Sequence, residues 1–169
     1  MTSTRRLLII WHSRTGAARQ LAQAALEGAQ HAIELLSAQH ELSVRMLACT
    51  QVQAQDLAQA DAYLFCAPEN LGSLSGAMKE CLDQLYYPLL EQLNGRPYGI
   101  IISAGSDGAG ALRQLERICT GWRLQLAYPG LIMNFKAQTP EAILAPKHIN
   151  AEQARQAHEL GANLCALLH

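Results

Sequence analysis

Five consecutive apolar residues, Leu7-Leu8-Ile9-Ile10-Trp11, run straight into His12-Ser13-Arg14-Thr15-Gly16-Ala17 and then into a long Ala/Gln/Leu segment. An apolar run without helical periodicity is a strand buried on both faces, and such strands belong to parallel sheets covered by helices. The small hydroxyl and glycine residues that follow form a tight loop at a helix N-terminus. There the free amides of the first turn and the helix dipole can hold an anion. Ser13 and Thr15 offer hydroxyl donors and Arg14 a charge. The loop has neither GxGxxG nor the Gly-Lys-Ser/Thr ending of a triphosphate loop. Alone, it reads equally well as an ordinary cap in which Ser13 or Thr15 satisfies the helix amides.

Further along, Leu21, Ala25, Leu26, Ala29, Ile33 and Leu36 fall on one stripe of a helix over 16–38. Residues 42–47 alternate as a short edge strand, a helical turn covers 54–60, and residues 62–67 are a second continuous apolar strand. The spacing predicts a helix from Ser75 toward Tyr87, a strand over 98–103, and a helix carrying Leu112, Leu115, Ile118 and Cys119 with Gly121 as its C-cap. Leu124, Leu126 and Tyr128 alternate as a fifth strand, interrupted by Pro129-Gly130 and resumed over 131–133. Residues 134–149 read as irregular, and Asn150 caps a last helix over 151–168 that turns Ala154, Ala157, His158, Leu160, Leu164 and Leu167 to the sheet. Five strands alternating with helices, without repeats or linkers, predict a single domain over 1–169. It is α/β, a three-layer flavodoxin-like fold with a five-stranded parallel sheet in the order 2-1-3-4-5.

Half of the 169 residues are hydrophobic, enough to bury a core, and the net charge is -1. Near-neutral charge and the absence of a basic aromatic stripe exclude a nucleic-acid binder. No apolar run reaches the ~20 residues of a membrane span, and residues 7–11 are too short for a signal-peptide core. Cys49, Cys66, Cys81, Cys119 and Cys165 are odd in number and lie in apolar or helical contexts, as expected of free thiols in a reducing, cytoplasmic setting. No CxxC occurs and no histidine has metal-ligand spacing, so no metal site is expected. Cys66 opens a loop without the arginine a phosphatase-type nucleophile needs, and reads as a buried strand-end thiol.

In the predicted strand order the carboxyl ends of the first, third and fourth strands are neighbours, where doubly wound sheets bind ligands. Three loops rich in small residues meet there: 12–17; Ala67-Pro68-Glu69-Asn70-Leu71-Gly72-Ser73; and Ala104-Gly105-Ser106-Asp107-Gly108-Ala109-Gly110. Together with Gly76-Ala77-Met78-Lys79 and Leu82-Asp83, these motifs make the chain resemble the flavodoxin-like NAD(P)H-dependent FMN reductases and quinone reductases, from Leu7 to about Met133 plus the final helix. The resemblance implies that Ser13, Arg14, Thr15, Gly16 and Ala17 hold the FMN phosphate. It implies that Pro68, Glu69, Asn70, Leu71 and Gly72 lie beside the ring, and Ala104, Gly105, Ser106 and Gly108 near its pyrimidine side. Ala17 and Ala18 stand where the family often has a further hydroxyl, and neither ring loop carries Trp or Tyr. Exchangeable flavin is the expectation.

The function that follows is an FMN-dependent oxidoreductase, taking hydride from NADPH or NADH and reducing a small acceptor such as a quinone, flavin, azo or nitro compound. In it the amides of residues 104–108 would stabilise the reduced ring and no side chain is assigned a catalytic role. The alternatives are a short flavodoxin electron carrier, which would favour a more acidic surface, and a flavodoxin-fold binding or regulatory protein without flavin. Simpler readings accompany the individual residues. Lys79 and Asp83 make a surface ion pair, Asp107 caps the following helix, Glu69 is solvated, and His12 is a polar strand terminus. Trp11 and Trp122 are core, and Tyr86-Tyr87-Pro88 is core or dimer contact, the segment 85–90 suggesting a homodimer.

Overall fold

The structure is a computed structural model and describes residues 4–169. Its first strand, β1 (Arg5–Trp11), pairs in parallel with β2 (Leu42–Ala48) on one side and β3 (Ala62–Asn70) on the other, and β3 pairs in parallel with β5 (Pro97–Ala104). Alternate strand residues enter opposite cores. Leu8, Ile10, Tyr63, Phe65, Ile100 and Ile102 face one apolar layer, while Leu7, Ile9, Ala62, Leu64 and Ile101 face the other. The first layer is completed by α2 (Ala54–Ala58), α3 (Gly76–Tyr86) and α4 (Ala109–Gly121), the second by α1 (Ala17–Leu35) and α6 (Ala151–Ala166). The fold is therefore the three-layer flavodoxin-like α/β architecture. Burial on both faces explains why the strand sequences carry no alternation.

The sheet departs from five strands. It has seven, because the fifth position is filled by two pieces, β6 (Gln125–Leu126) and β7 (Leu131–Asn134), each parallel to β5, and because β4 (Ser73–Leu74) folds back antiparallel on β3. Pro129 has no amide for a ladder, and the break falls there. The order β2-β1-β3-β5-β6 preserves the predicted arrangement of the parallel positions, with β2 at an edge.

Smaller corrections have local causes. Gly121 remains helical against the ring of Tyr86, and the left-handed residue after α4 is Arg123 (φ 57°). Leu36 and Leu167 are exposed, and Leu168 takes the buried position at the end of the chain. Trp122 is core, whereas Trp11 is half-buried beneath the guanidinium of Arg19, 5.5 Å from its ring. Tyr86 packs on Trp122 while Tyr87 is exposed. The segment read as irregular contains a short helix, α5 (Pro140–Leu144), capped by Thr139 with proline in its first turn. All five thiols are free and buried. No described helix is long and apolar enough to cross a membrane.

Candidate functional site

The register sets the strand ends side by side: Trp11 lies opposite Cys66, and Pro68 opposite Ser103. The three loops accordingly surround one cavity of about 550 Å³. Of the residues expected there, Arg14, Thr15, Ala17, Pro68, Glu69, Asn70, Leu71, Gly72, Ala104, Gly105 and Ser106 line it. Ser13, Gly16 and Gly108 do not line it; Ser13 acts through its hydroxyl and the two glycines through their amides.

Ser13 Oγ accepts the Gly16 N–H at 3.1 Å, closing a tight turn in which Gly16 adopts φ 98°. Gly16 is the N-cap of α1, and among the described residues no side chain caps that helix. The reading of Ser13 or Thr15 as an ordinary cap is thereby corrected: Ser13 serves the turn. The first-turn amides of a 19-residue helix remain available to an anion, beside the exposed Arg14. His12 does not line the cavity. Its Nδ1 lies 2.9 Å from the hydroxyl of buried Ser75 and its amide donates to the Cys66 carbonyl at 3.0 Å, the behaviour of a polar strand terminus. Burial, then the charge of Arg14, lowers its pKa.

The second loop is a hairpin. Leu71 (φ 54°) and Gly72 (φ 74°) turn β3 into β4, and Gln114 Oε1 fixes β4 by accepting from Ser73 Oγ at 2.7 Å and from the Leu74 amide at 2.8 Å. Gly110 touches this turn so closely that a Cβ would lie 2.0 Å from the Gly72 carbonyl. Glu69 is not a solvated loop residue. Its Oε1 accepts the Gly108 N–H at 3.0 Å, and its Oε2 is buried with no partner among the described residues. Asp107 is exposed and does not cap α4, whose N-cap is Gly108 (φ 89°). The carbonyls of Ala104 and Gly105 accept from Phe135 and Ala137, both at 2.8 Å, and Asn134 Nδ2 donates to the Ser106 carbonyl.

Ser103, Phe135, Ala137, Ile143 and Lys147 also line the cavity and were absent from the sequence reading. All but Ser103 lie in 134–149. Thr139-Pro140, a cap followed by a first-turn proline, was the available signal of order there. Phe135 supplies an aromatic ring that neither loop offers. The segment is tied down where the Lys147 amide donates to the Thr15 carbonyl at 2.8 Å. Gln20 Nε2 donates to the Lys147 carbonyl at 2.7 Å. The Lys147 ammonium donates to the carbonyls of Ala142 and Ala145 at 2.5 and 2.6 Å, fastening the C-terminal end of α5.

Comparison with known proteins agrees with this architecture. The family described as NADPH-dependent FMN reductase matches residues 6–135. A flavodoxin from the domain Archaea superposes with a TM-score of 0.72 at 13% identity, over 96% of this chain and 98% of its own. A WrbA-like flavodoxin from Agrobacterium tumefaciens gives 0.68 at 17% identity, over 98% of both chains. The flavodoxin of Streptococcus pneumonia TIGR4 gives 0.72 at 19% identity, over 96% of this chain and 99% of its own. No curated protein matches the sequence significantly.

Proposed function

Because the chain belongs to the NADPH-dependent FMN reductase family, we propose that its cavity holds FMN and that it is an oxidoreductase using NADPH or NADH to reduce a small acceptor. The observation that carries the reading is the polarity of one cavity. Its lining joins Arg14, Thr15 and Ala17, at the uncapped N-terminus of α1, to the apolar groups of Pro68, Leu71 and Phe135. A phosphate fits the first group and a planar heteroaromatic ring the second. Bound FMN would supply the hydride chemistry.

The chain's own residues bind and orient. Ser13 holds Gly16 in the conformation that aims the α1 amides, and Pro68 to Gly72 form the stiff hairpin beside the ring. The Phe135–Ala137 segment fixes the glycine loop by its carbonyls. Acceptors of the quinone, flavin, azo or nitro type suit the apolar lip of Leu71 and Ile143, both exposed. A homodimer also belongs to this reading. In 85–90, Leu85 and Leu89 are core, so Tyr87 and Leu90 would carry the contact. Light scattering of the purified protein reads that directly.

Titration with FMN and with riboflavin, followed by flavin fluorescence, tests the cofactor: FMN is expected to bind more tightly, since only it carries the anion. Failure to bind either removes the reading. NADPH and NADH oxidation with a quinone tests the enzyme, and bound flavin without nicotinamide oxidation assigns the chain to electron carriage instead.

A further inference from the structure

Glu69 is the only charged residue of the second loop, and its two oxygens are treated differently. Oε1 accepts the Gly108 amide at 3.0 Å, and Oε2 is buried without a donor among the described residues. Gly108 is the N-cap of α4, and its amide belongs to the loop from which the reduced ring would draw donors. Glu69 lines the cavity and Gly108 does not. A carboxylate in the cavity wall is thus tied to the glycine loop through an amide that itself stays out of the cavity. Ala104 and Gly105 are held by their carbonyls to Phe135 and Ala137, which fixes the loop against Glu69.

Resting on the reading that this cavity holds FMN, we propose that Glu69 sets the balance between oxidised and reduced cofactor, its carboxylate weakening the protein's hold on the electron-rich reduced form relative to the oxidised one. Two-electron reduction places more negative charge on the ring, and a neighbouring carboxylate in a poorly solvated wall opposes that charge. A family reading that counts backbone donors alone predicts the opposite bias. The consequence is a flavin tuned to give electrons up.

Glu69→Gln is the discriminating variant, because the amide oxygen can still accept from Gly108 while the charge is lost and the unpartnered oxygen becomes a donor. Melting of the FMN-free variant verifies that it folds; should it not fold, Glu69→Ala is read in the same way. Wild type and variant are titrated with oxidised FMN, and the midpoint potential of the bound flavin is then measured by dithionite titration against a reference dye. Glu69→Gln is expected to tighten reduced FMN relative to oxidised FMN by about tenfold, which for a two-electron couple raises the potential by about 30 mV. Asp107→Asn removes an exposed carboxylate from the neighbouring loop that does not line the cavity, and is expected to leave the potential where it was. An unchanged or lowered potential in Glu69→Gln overturns the proposal while leaving FMN binding intact, as does an equal rise in Asp107→Asn. A folded Glu69→Gln that no longer takes up oxidised FMN also overturns it, by making Glu69 a binding group. If the wild type takes up no FMN, the functional reading fails and the proposal with it.

Discussion

Leu71 adopts the left-handed conformation, φ 54°, with its entire side chain in solvent at the rim of the cavity. An L-residue there carries about 1–2 kcal/mol of backbone strain, and asparagine tolerates the conformation better. Leu71→Asn is therefore expected to raise stability by roughly 1 kcal/mol in denaturant melts, and, if the apolar lip meets the acceptor, to raise KM for a quinone. At His12 the folded state holds the ring's pKa below the ordinary 6.5. Below that value the unfolded chain takes up a proton that the folded chain resists. The stabilising contribution is thus complete above pH 6.5 and declines as the pH falls toward the folded pKa. His12→Gln cannot titrate, so its melting temperature is expected to fall less than that of the wild type between neutral pH and the acid side of 6.5. Thermal melts of both proteins across that range check the sign.

Between elements, the tightest contact is the crossing of α1 and α6. A Cβ at Gly28 would lie 1.9 Å from the His158 carbonyl, and one at Gly161 would lie 2.0 Å from the Ala25 carbonyl. Gly161→Ala gains helix propensity of about 1 kcal/mol but must push two helix backbones apart. A net loss of about 2–3 kcal/mol is expected in chemical denaturation. Gly110→Ala similarly separates the second and third loops at Gly72, and is expected to weaken FMN binding in fluorescence titrations more than it lowers stability. This scale also shows how far the sequence could be read. Strands such as 7–11 and 62–67 declare themselves because burial on both faces leaves nothing but apolar residues, and the loops after them follow from strand order. The segment 134–149 did not, since α5 has five residues, buries none of them, and is held by Lys147 and Gln20 through backbone carbonyls that no residue pattern marks. Glu69 is placed beside the ring by its loop, but its tie to the glycine loop escaped for a related reason: the partner is the Gly108 amide, 39 positions away, and any residue would offer the same N–H.

Across the whole molecule, a cofactor that binds only the folded state stabilises it by mass action. FMN at 100 times its Kd is expected to add about 2.7 kcal/mol. With Ala17 where a further hydroxyl is often found, that gain should disappear on dialysis, and melts before and after dialysis would show it. A flavin and a raised melting point that both survive dialysis would contradict the expectation of exchangeable binding. Over the same body, burial pushes the Cys81 thiol up to about 12 and the Cys165 thiol up to about 11, and raises those of Cys49, Cys66 and Cys119 as well. Thiolates are the nucleophiles that quinones and nitroarenes arylate. With all five cysteine thiols buried and biased toward the protonated form, the proposed reduction of such electrophiles would leave the protein unmodified.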